Sequence, residues 1–166
     1  MAGKNSLELA SKAPDFNLEE TSGKKVRLAD SKGKWVVLYF YPKDDTPGCT
    51  IEANQFTEQF KDFQKLNAVV LGVSPDNCQS HQKFVDKYGL KVTLLSDPEH
   101  RVMEQYGAWG EKNMYGKVTM GVIRSTTIID PQGMVAHVWA RVQAEGHAAS
   151  VADKLKELQA RSATAS

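Results

Sequence analysis

Trp35-Val36-Val37-Leu38-Tyr39-Phe40-Tyr41 is an unbroken apolar run, and no other feature limits the fold of this chain as tightly. A strand with one wet face alternates apolar and polar residues, whereas a run without alternation has to be covered on both faces. Ala68-Val69-Val70-Leu71-Gly72-Val73-Ser74 has the same character. Between the two, Ile51, Phe56, Phe60 and Phe63 recur among charged residues, the pattern of an amphipathic helix that follows Pro47-Gly48. Strand, helix and strand of this kind predict an α/β architecture built around two buried strands.

The remaining segments extend that plan. Phe16 to Leu18 and Lys25 to Leu28 read as short strands around a turn at Ser22-Gly23. Pro75-Asp76 opens a helix that runs to about Tyr88 and is closed by Gly89. Thr93 to Leu95 is a short strand and Glu99 to Tyr106 a short helix. Gly107 to Gly121 is rich in glycine and has no clear period, so it reads as a long loop. Val122 to Ile129 and Val135 to Arg141 form a hairpin around Asp130-Pro131-Gln132-Gly133. Ala148 to Ala160 is a closing amphipathic helix, and Arg161 to Ser166 is expected to fray. The order is β-β-β-α-β-α-β-α-β-β-α: a central mixed sheet flanked by helices, with an N-terminal β-hairpin extension.

The chain has 166 residues, which fits one domain over 1–166 better than two. A formal net charge of +1, without a basic stripe, argues against a nucleic-acid partner. Lys32 and Lys34 around Gly33 read as a solvated turn. No apolar stretch approaches the roughly 20 residues needed to span a bilayer. Met1 to Lys12 is polar and lacks the apolar core of a secretory signal, so the expected location is cytoplasmic. There, two cysteines argue against a disulfide framework and for catalysis or redox chemistry, the other reading being two small buried hydrophobes. His81, His100, His137 and His147 are scattered, and no Cys/His spacing resembles a metal site, so no metal is expected.

Cys49 holds the chemical interest. It lies in the first turn of the helix that follows strand 35–41, beyond the carboxyl end of that strand, where ligands of open α/β sheets bind. Free backbone N–H groups and the helix dipole favour an anion there. Converting a free thiol fully to thiolate gains only about thirtyfold in reactive species at neutral pH. A fast reaction at the sulfur also requires the bond under attack to be polarised and the leaving group stabilised. The preceding loop is Pro42-Lys43-Asp44-Asp45-Thr46-Pro47-Gly48. In it, Thr46 offers a hydroxyl to the sulfur or to a bound substrate, Pro42 and Pro47 stiffen the approach, and Gly48 lets the backbone come close to a ligand.

Pro42, Thr46 and Cys49 match the pattern P-x-x-x-T/S-x-x-C, and on it the chain resembles the peroxiredoxins. Tyr39 to Thr50 is similar to the bacterioferritin comigratory protein (PrxQ) subfamily. Ala13-Pro14-Asp15-Phe16, Leu71-Gly72-Val73-Ser74, Leu95-Ser96-Asp97 and Gly107-Ala108-Trp109-Gly110-Glu111-Lys112 extend the likeness over nearly the whole chain. The resemblance implies a thioredoxin-like fold and reduction of hydrogen peroxide and organic hydroperoxides without metal or flavin. Cys49 would be the peroxidatic cysteine, passing through a sulfenic acid. Arg124 would be the arginine that completes the site, a guanidinium able to hold the thiolate and hydrogen-bond a peroxide oxygen; by itself it reads equally as a surface residue at a strand end. Glu52 either orients Arg124 or is a solvated helix carboxylate, and Trp109 with its neighbouring glycines would shape a loop over the site. The implied reductant is thioredoxin or another thiol, and the implied state a monomer.

The chain departs from the family over the second thiol. Many members carry a resolving cysteine five residues after the first, where Asn54 stands here, and others carry one in the next helix, near Val85. The only other thiol is Cys78, in the first turn of the helix after strand 68–74. Either it resolves Cys49 after local unwinding, or it is a bystander and the cycle uses one cysteine. A disulfide reductase would need Cys-x-x-Cys, and Glu52 stands at that position. The alternative from another class is a non-enzymatic thioredoxin-fold binding module or holdase chaperone.

Overall fold

The computed structural model describes residues 8–165; the first seven residues and Ser166 lie outside it. Trp35–Phe40 is strand β3, and every residue in it is buried. The strand order explains why. The hairpin strands β1 (Asn17–Glu20) and β2 (Lys25–Arg27) come first in sequence, β4 is Ala68–Ser74, β5 Thr93–Ser96, β8 Ser125–Ile129 and β9 Val135–Trp139. The seven-stranded sheet runs β2-β1-β5-β4-β3-β8-β9. β3 and β4 pair in parallel, as do β4 and β5, while β8 runs antiparallel to β3. The N-terminal hairpin joins the sheet by antiparallel pairing of β1 with β5. This is the thioredoxin-like arrangement that the resemblance implied, with the N-terminal hairpin that the sequence pattern predicted.

Alternation along β3 feeds two cores. Trp35, Val37 and Tyr39, with Tyr41 beyond them, face α1 (Pro47–Glu58), α2 (Phe60–Lys65), α3 (Cys78–Tyr88) and α5 (His147–Ala165), packing with Phe56, Phe63, Phe84 and Leu155. Val36, Leu38 and Phe40 face the other side, against Phe16, Met103 of α4 (Arg101–Gln105) and Tyr106. Cys49 belongs to the first core.

Several boundaries differ from the sequence reading. The helix expected over 51–63 is two helices separated at Gln59. The second begins at Cys78 rather than Pro75, because Asn77 caps it by accepting from the Ser80 N–H at 2.8 Å. Gly107–Gly121 is no long loop. Trp109–Met114 and Lys117–Val122 form an antiparallel hairpin, β6–β7, outside the main sheet. Its two central residues, Tyr115 and Gly116, both have positive φ, as the twist of a tight hairpin requires. Asn or Asp is the usual first residue there, and tyrosine hid the turn. The strand expected over Val122–Ile129 is correspondingly split between β7 and β8 at Ile123-Arg124. The last helix continues past Ala160 to Ala165, taking in most of the segment expected to fray; residues 161–165 include two alanines and no helix breaker. No helix among the described residues is long and apolar enough to cross a membrane.

Candidate active site

Thr46 is the N-cap of α1, Pro47 follows at the first helical position, and Cys49 falls in the first turn. The first intrahelical bond is from the Thr50 N–H to the Thr46 carbonyl, at 2.8 Å. Gly48 and Cys49 therefore precede the positions whose N–H groups are consumed inside the helix. Cys49 is 1% exposed.

Arg124 enters from the short link between β7 and β8, its carbonyl held by the Val142 N–H at 3.0 Å. Its fork makes two contacts. Nη2 donates to Cys49 Sγ at 3.3 Å, and Nη1 donates to Glu52 Oε1 at 2.5 Å. Glu52 is fully buried one turn along α1, so the reading of it as a solvated carboxylate does not hold. A methyl group added at Gly48 would lie 3.1 Å from Arg124 Nη2; the glycine leaves room for the guanidinium over the helix start.

The electrostatics follow from burial. Glu52 Oε2 has no hydrogen-bond partner, and desolvation pushes this carboxyl up from 4.5 to about 7 against the pull of Arg124. Burial also works against the charge on Arg124, but the charges of Glu52 and Cys49 outweigh it and raise that group. The two directions compete over one contact. A guanidinium does not deprotonate in a protein, so the proton that moves near neutral pH is that of Glu52.

The 42–48 loop carries the other expected residues. Thr46 Oγ1 donates to the Lys43 carbonyl at 2.8 Å, so its proton is committed to the backbone and not to the sulfur. What remains free on that hydroxyl is acceptor capacity. Pro42 is half-buried at the end of β3.

Cys78 is placed apart from this group. It is partly exposed in the first turn of α3, and its sulfur lies 3.8 Å from Glu19 Oε2 of β1. β3 and β4 are parallel neighbours, as the sequence reading supposed, but Cys78 turns toward the hairpin side of the sheet while Cys49 meets Arg124 on the β8 side. β5 and β4 lie between β1 and β3, at about 4.8 Å per strand. A disulfide tolerates a Cα separation of about 7 Å at most. Burial and the Glu19 carboxylate both push the Cys78 thiol up, which disfavours its nucleophilic form. Trp109 sits in β6, stacked on His100 at 3.6 Å between ring centroids, and serves as an anchor of the hairpin rather than part of a loop.

Sequence reasoning missed a buried polar network behind the loop. Asp44 accepts from Tyr41 Oη at 2.6 Å and from Ser80 Oγ at 2.7 Å, and faces His81 Nδ1 at 2.7 Å. Asp44, Asp76 and His81 bring oxygen and nitrogen atoms within 4.8 Å of one another, a grouping able to receive a metal. Hydrogen bonds within the protein already occupy those atoms. One signal was available: spacing 81, 84, 85, 88 puts His81 on the apolar face of α3, where a polar ring needs partners.

Residues 9–138 match the model of the AhpC/TSA family. A Helicobacter pylori (strain J99) protein, named among the bcp peroxiredoxins, is 50% identical over 149 residues, covering 90% of this chain and 98% of its own. Peroxiredoxin Bcp of Bacillus subtilis is 44% identical over 152 residues, covering 92% and 97%. Among solved structures, the Xanthomonas campestris bacterioferritin comigratory protein, studied in trapped intermediate/ligand complexes for its alkyl peroxide reduction activity, superposes with a TM-score of 0.84 at 38% identity, covering 90% of this chain and 98% of that one.

Proposed function

The chain belongs to the AhpC/TSA family as a peroxiredoxin of the Bcp (PrxQ) kind, and on that premise we propose that Cys49 is its peroxidatic cysteine, served by Arg124, Thr46, Pro42 and Glu52. It is a thiol peroxidase, reducing hydrogen peroxide and organic hydroperoxides to water and alcohols. The observation that carries the assignment of residues is the fork of Arg124, which touches the sulfur with one arm and a buried carboxylate with the other.

The steps follow from these contacts. The Cys49 thiolate attacks the terminal peroxide oxygen; an S–O bond forms as the O–O bond breaks, and the leaving oxygen takes up a proton to become water or an alcohol. Arg124 is placed to hold the thiolate and to share its N–H donors with the peroxide as negative charge moves onto oxygen. Glu52 fixes the direction of that fork. Thr46, its own proton given to the Lys43 carbonyl, accepts a hydrogen bond from the peroxide O–H and so orients the oxygen under attack. Pro42 stiffens the loop that carries it.

The product is a Cys49 sulfenic acid. A thiol condenses with it, releasing water and leaving a mixed disulfide, and a second thiol restores the thiolate. The position of Cys78 beside Glu19 supports an outside thiol in the first of these steps, with thioredoxin as the reductant. The reading has the 166-residue chain act as one domain and a monomer in the cytoplasm, its nearly balanced charge supporting the absence of a nucleic-acid partner. Peroxide consumption with dithiothreitol or thioredoxin tests the assignment. Cys49→Ser is expected to abolish it, and consumption at the wild-type rate would remove Cys49 from the mechanism.

A further inference from the structure

His81 is fully buried, and both of its ring nitrogens face oxygen atoms. Nε2 lies 3.0 Å from the Leu95 carbonyl, and Nδ1 lies 2.7 Å from Asp44 Oδ2. A carbonyl can only accept, so Nε2 carries a proton. The proton between Nδ1 and Asp44 completes a buried charge-assisted contact. The side chain is thereby fixed by β5 at one nitrogen and presented to the loop at the other.

What it holds is the loop that leads to Thr46. Asp44 is anchored at its carboxylate by Tyr41, Ser80 and His81, and at its backbone N–H by Asp76 Oδ2 at 2.7 Å. The carbonyl of the preceding residue, Lys43, receives the Thr46 hydroxyl. Displacing Asp44 therefore moves the acceptor that sets the Thr46 rotor. Asp45 adds a second, exposed tie to the far end of α3, accepting from Lys87 Nζ at 2.8 Å and Tyr88 Oη at 2.6 Å. The loop is seated on α3 at both ends of that helix.

Building on the assignment of Cys49 as nucleophile, we propose that His81 is a positioning residue of the peroxidase reaction, fixing the Thr46 hydroxyl through Asp44 and the Lys43 carbonyl. It touches neither sulfur nor peroxide. Its loss acts on the alignment of the peroxide and leaves the Arg124 contact to Cys49 in place.

The test compares two reactions of the same sulfur in single turnover, both read by mass spectrometry of the Cys49 peptide: oxidation by hydrogen peroxide, which needs the loop, and alkylation by iodoacetamide, which does not. His81→Leu is expected to slow oxidation by between about tenfold and a hundredfold, the size of a misalignment effect, while alkylation changes by less than about twofold. Asparagine reproduces the donor at Nδ1 and glutamine the donor at Nε2. His81→Asn therefore recovers most of the oxidation rate, and His81→Gln does not. The proposal is overturned if His81→Leu oxidises at the wild-type rate, if oxidation and alkylation fall together, or if the asparagine and glutamine variants behave alike. Should His81→Leu fail to fold, Asp44→Asn reads the other half of the pair; the same selective loss is expected, and a wild-type oxidation rate overturns the proposal. Peroxide consumption by Cys49→Ser with dithiothreitol keeps the premises apart, since consumption at the wild-type rate refutes the nucleophile and not the clamp.

Discussion

Glu52 spends its whole side chain inside the protein, and that fixes how stability responds to pH. Its folded value of about 7 lies above the ordinary 4.5. Between those values the folded chain keeps a proton that the unfolded chain has released, so this group's contribution to stability falls as pH rises from about 4.5 to 7. Glu52→Gln removes that slope. Urea unfolding at pH 5 and pH 7.5 is expected to show the variant gaining on wild type by on the order of 2 kcal/mol between the two conditions. Parallel behaviour of the two proteins would show that Glu52 does not titrate in this window. At this scale the sequence was informative about residue types and poor on orientation. Cys49, Thr46 and Pro42 stood in a pattern and Arg124 came with the family resemblance, but whether the Thr46 proton goes to sulfur or to the Lys43 carbonyl is set by the loop backbone. The loop backbone is in turn set by His81, far along the chain.

The elements are held in register by contacts that local pattern does not disclose. Gly72 pairs directly with Tyr39 across β4 and β3. A methyl group there would lie 2.7 Å from Tyr39 Cζ, and the ring cannot yield because it stacks on Phe56 of α1 at 4.7 Å. Gly72→Ala is expected to cost about 1–3 kcal/mol, read as a lower denaturant midpoint at unchanged slope. An unchanged midpoint would mean that the Tyr39 ring is not confined. The buried runs that became β3 and β4 were legible because continuous apolarity permits few other outcomes. The β6–β7 hairpin was not: Val118, Met120 and Val122 alternate along β7, but Trp109–Met114 of β6 shows no matching period, four glycines between 107 and 121 favour a loop reading, and the turn uses Tyr115. The break at Gln59 was equally hidden, because apolar spacing continues across it from Phe56 to Phe60 and Phe63.

Across the whole molecule, the decisive arrangement is the separation of the two thiols. One lies at the β8 side under Arg124, the other at the β1 side beside Glu19. The sequence placed both at the start of helices after neighbouring parallel strands, which is how the structure has them. It could not say which way each side chain turns, because the groups that meet them, Arg124 for Cys49 and Glu19 for Cys78, come from segments distant in the chain. If the cycle is completed from outside, Cys78→Ser turns over peroxide with an external thiol reductant within about twofold of wild type, the range of a surface change without mechanistic role. A loss of an order of magnitude would put Cys78 back into the cycle. The most direct test of the account is to locate the first oxygen. Reduced protein is treated with one equivalent of hydrogen peroxide, trapped with dimedone and mapped by mass spectrometry without reductant. The account predicts the sulfenic-acid adduct on Cys49 with Cys78 still a free thiol; an adduct on Cys78 with Cys49 unmodified would contradict it.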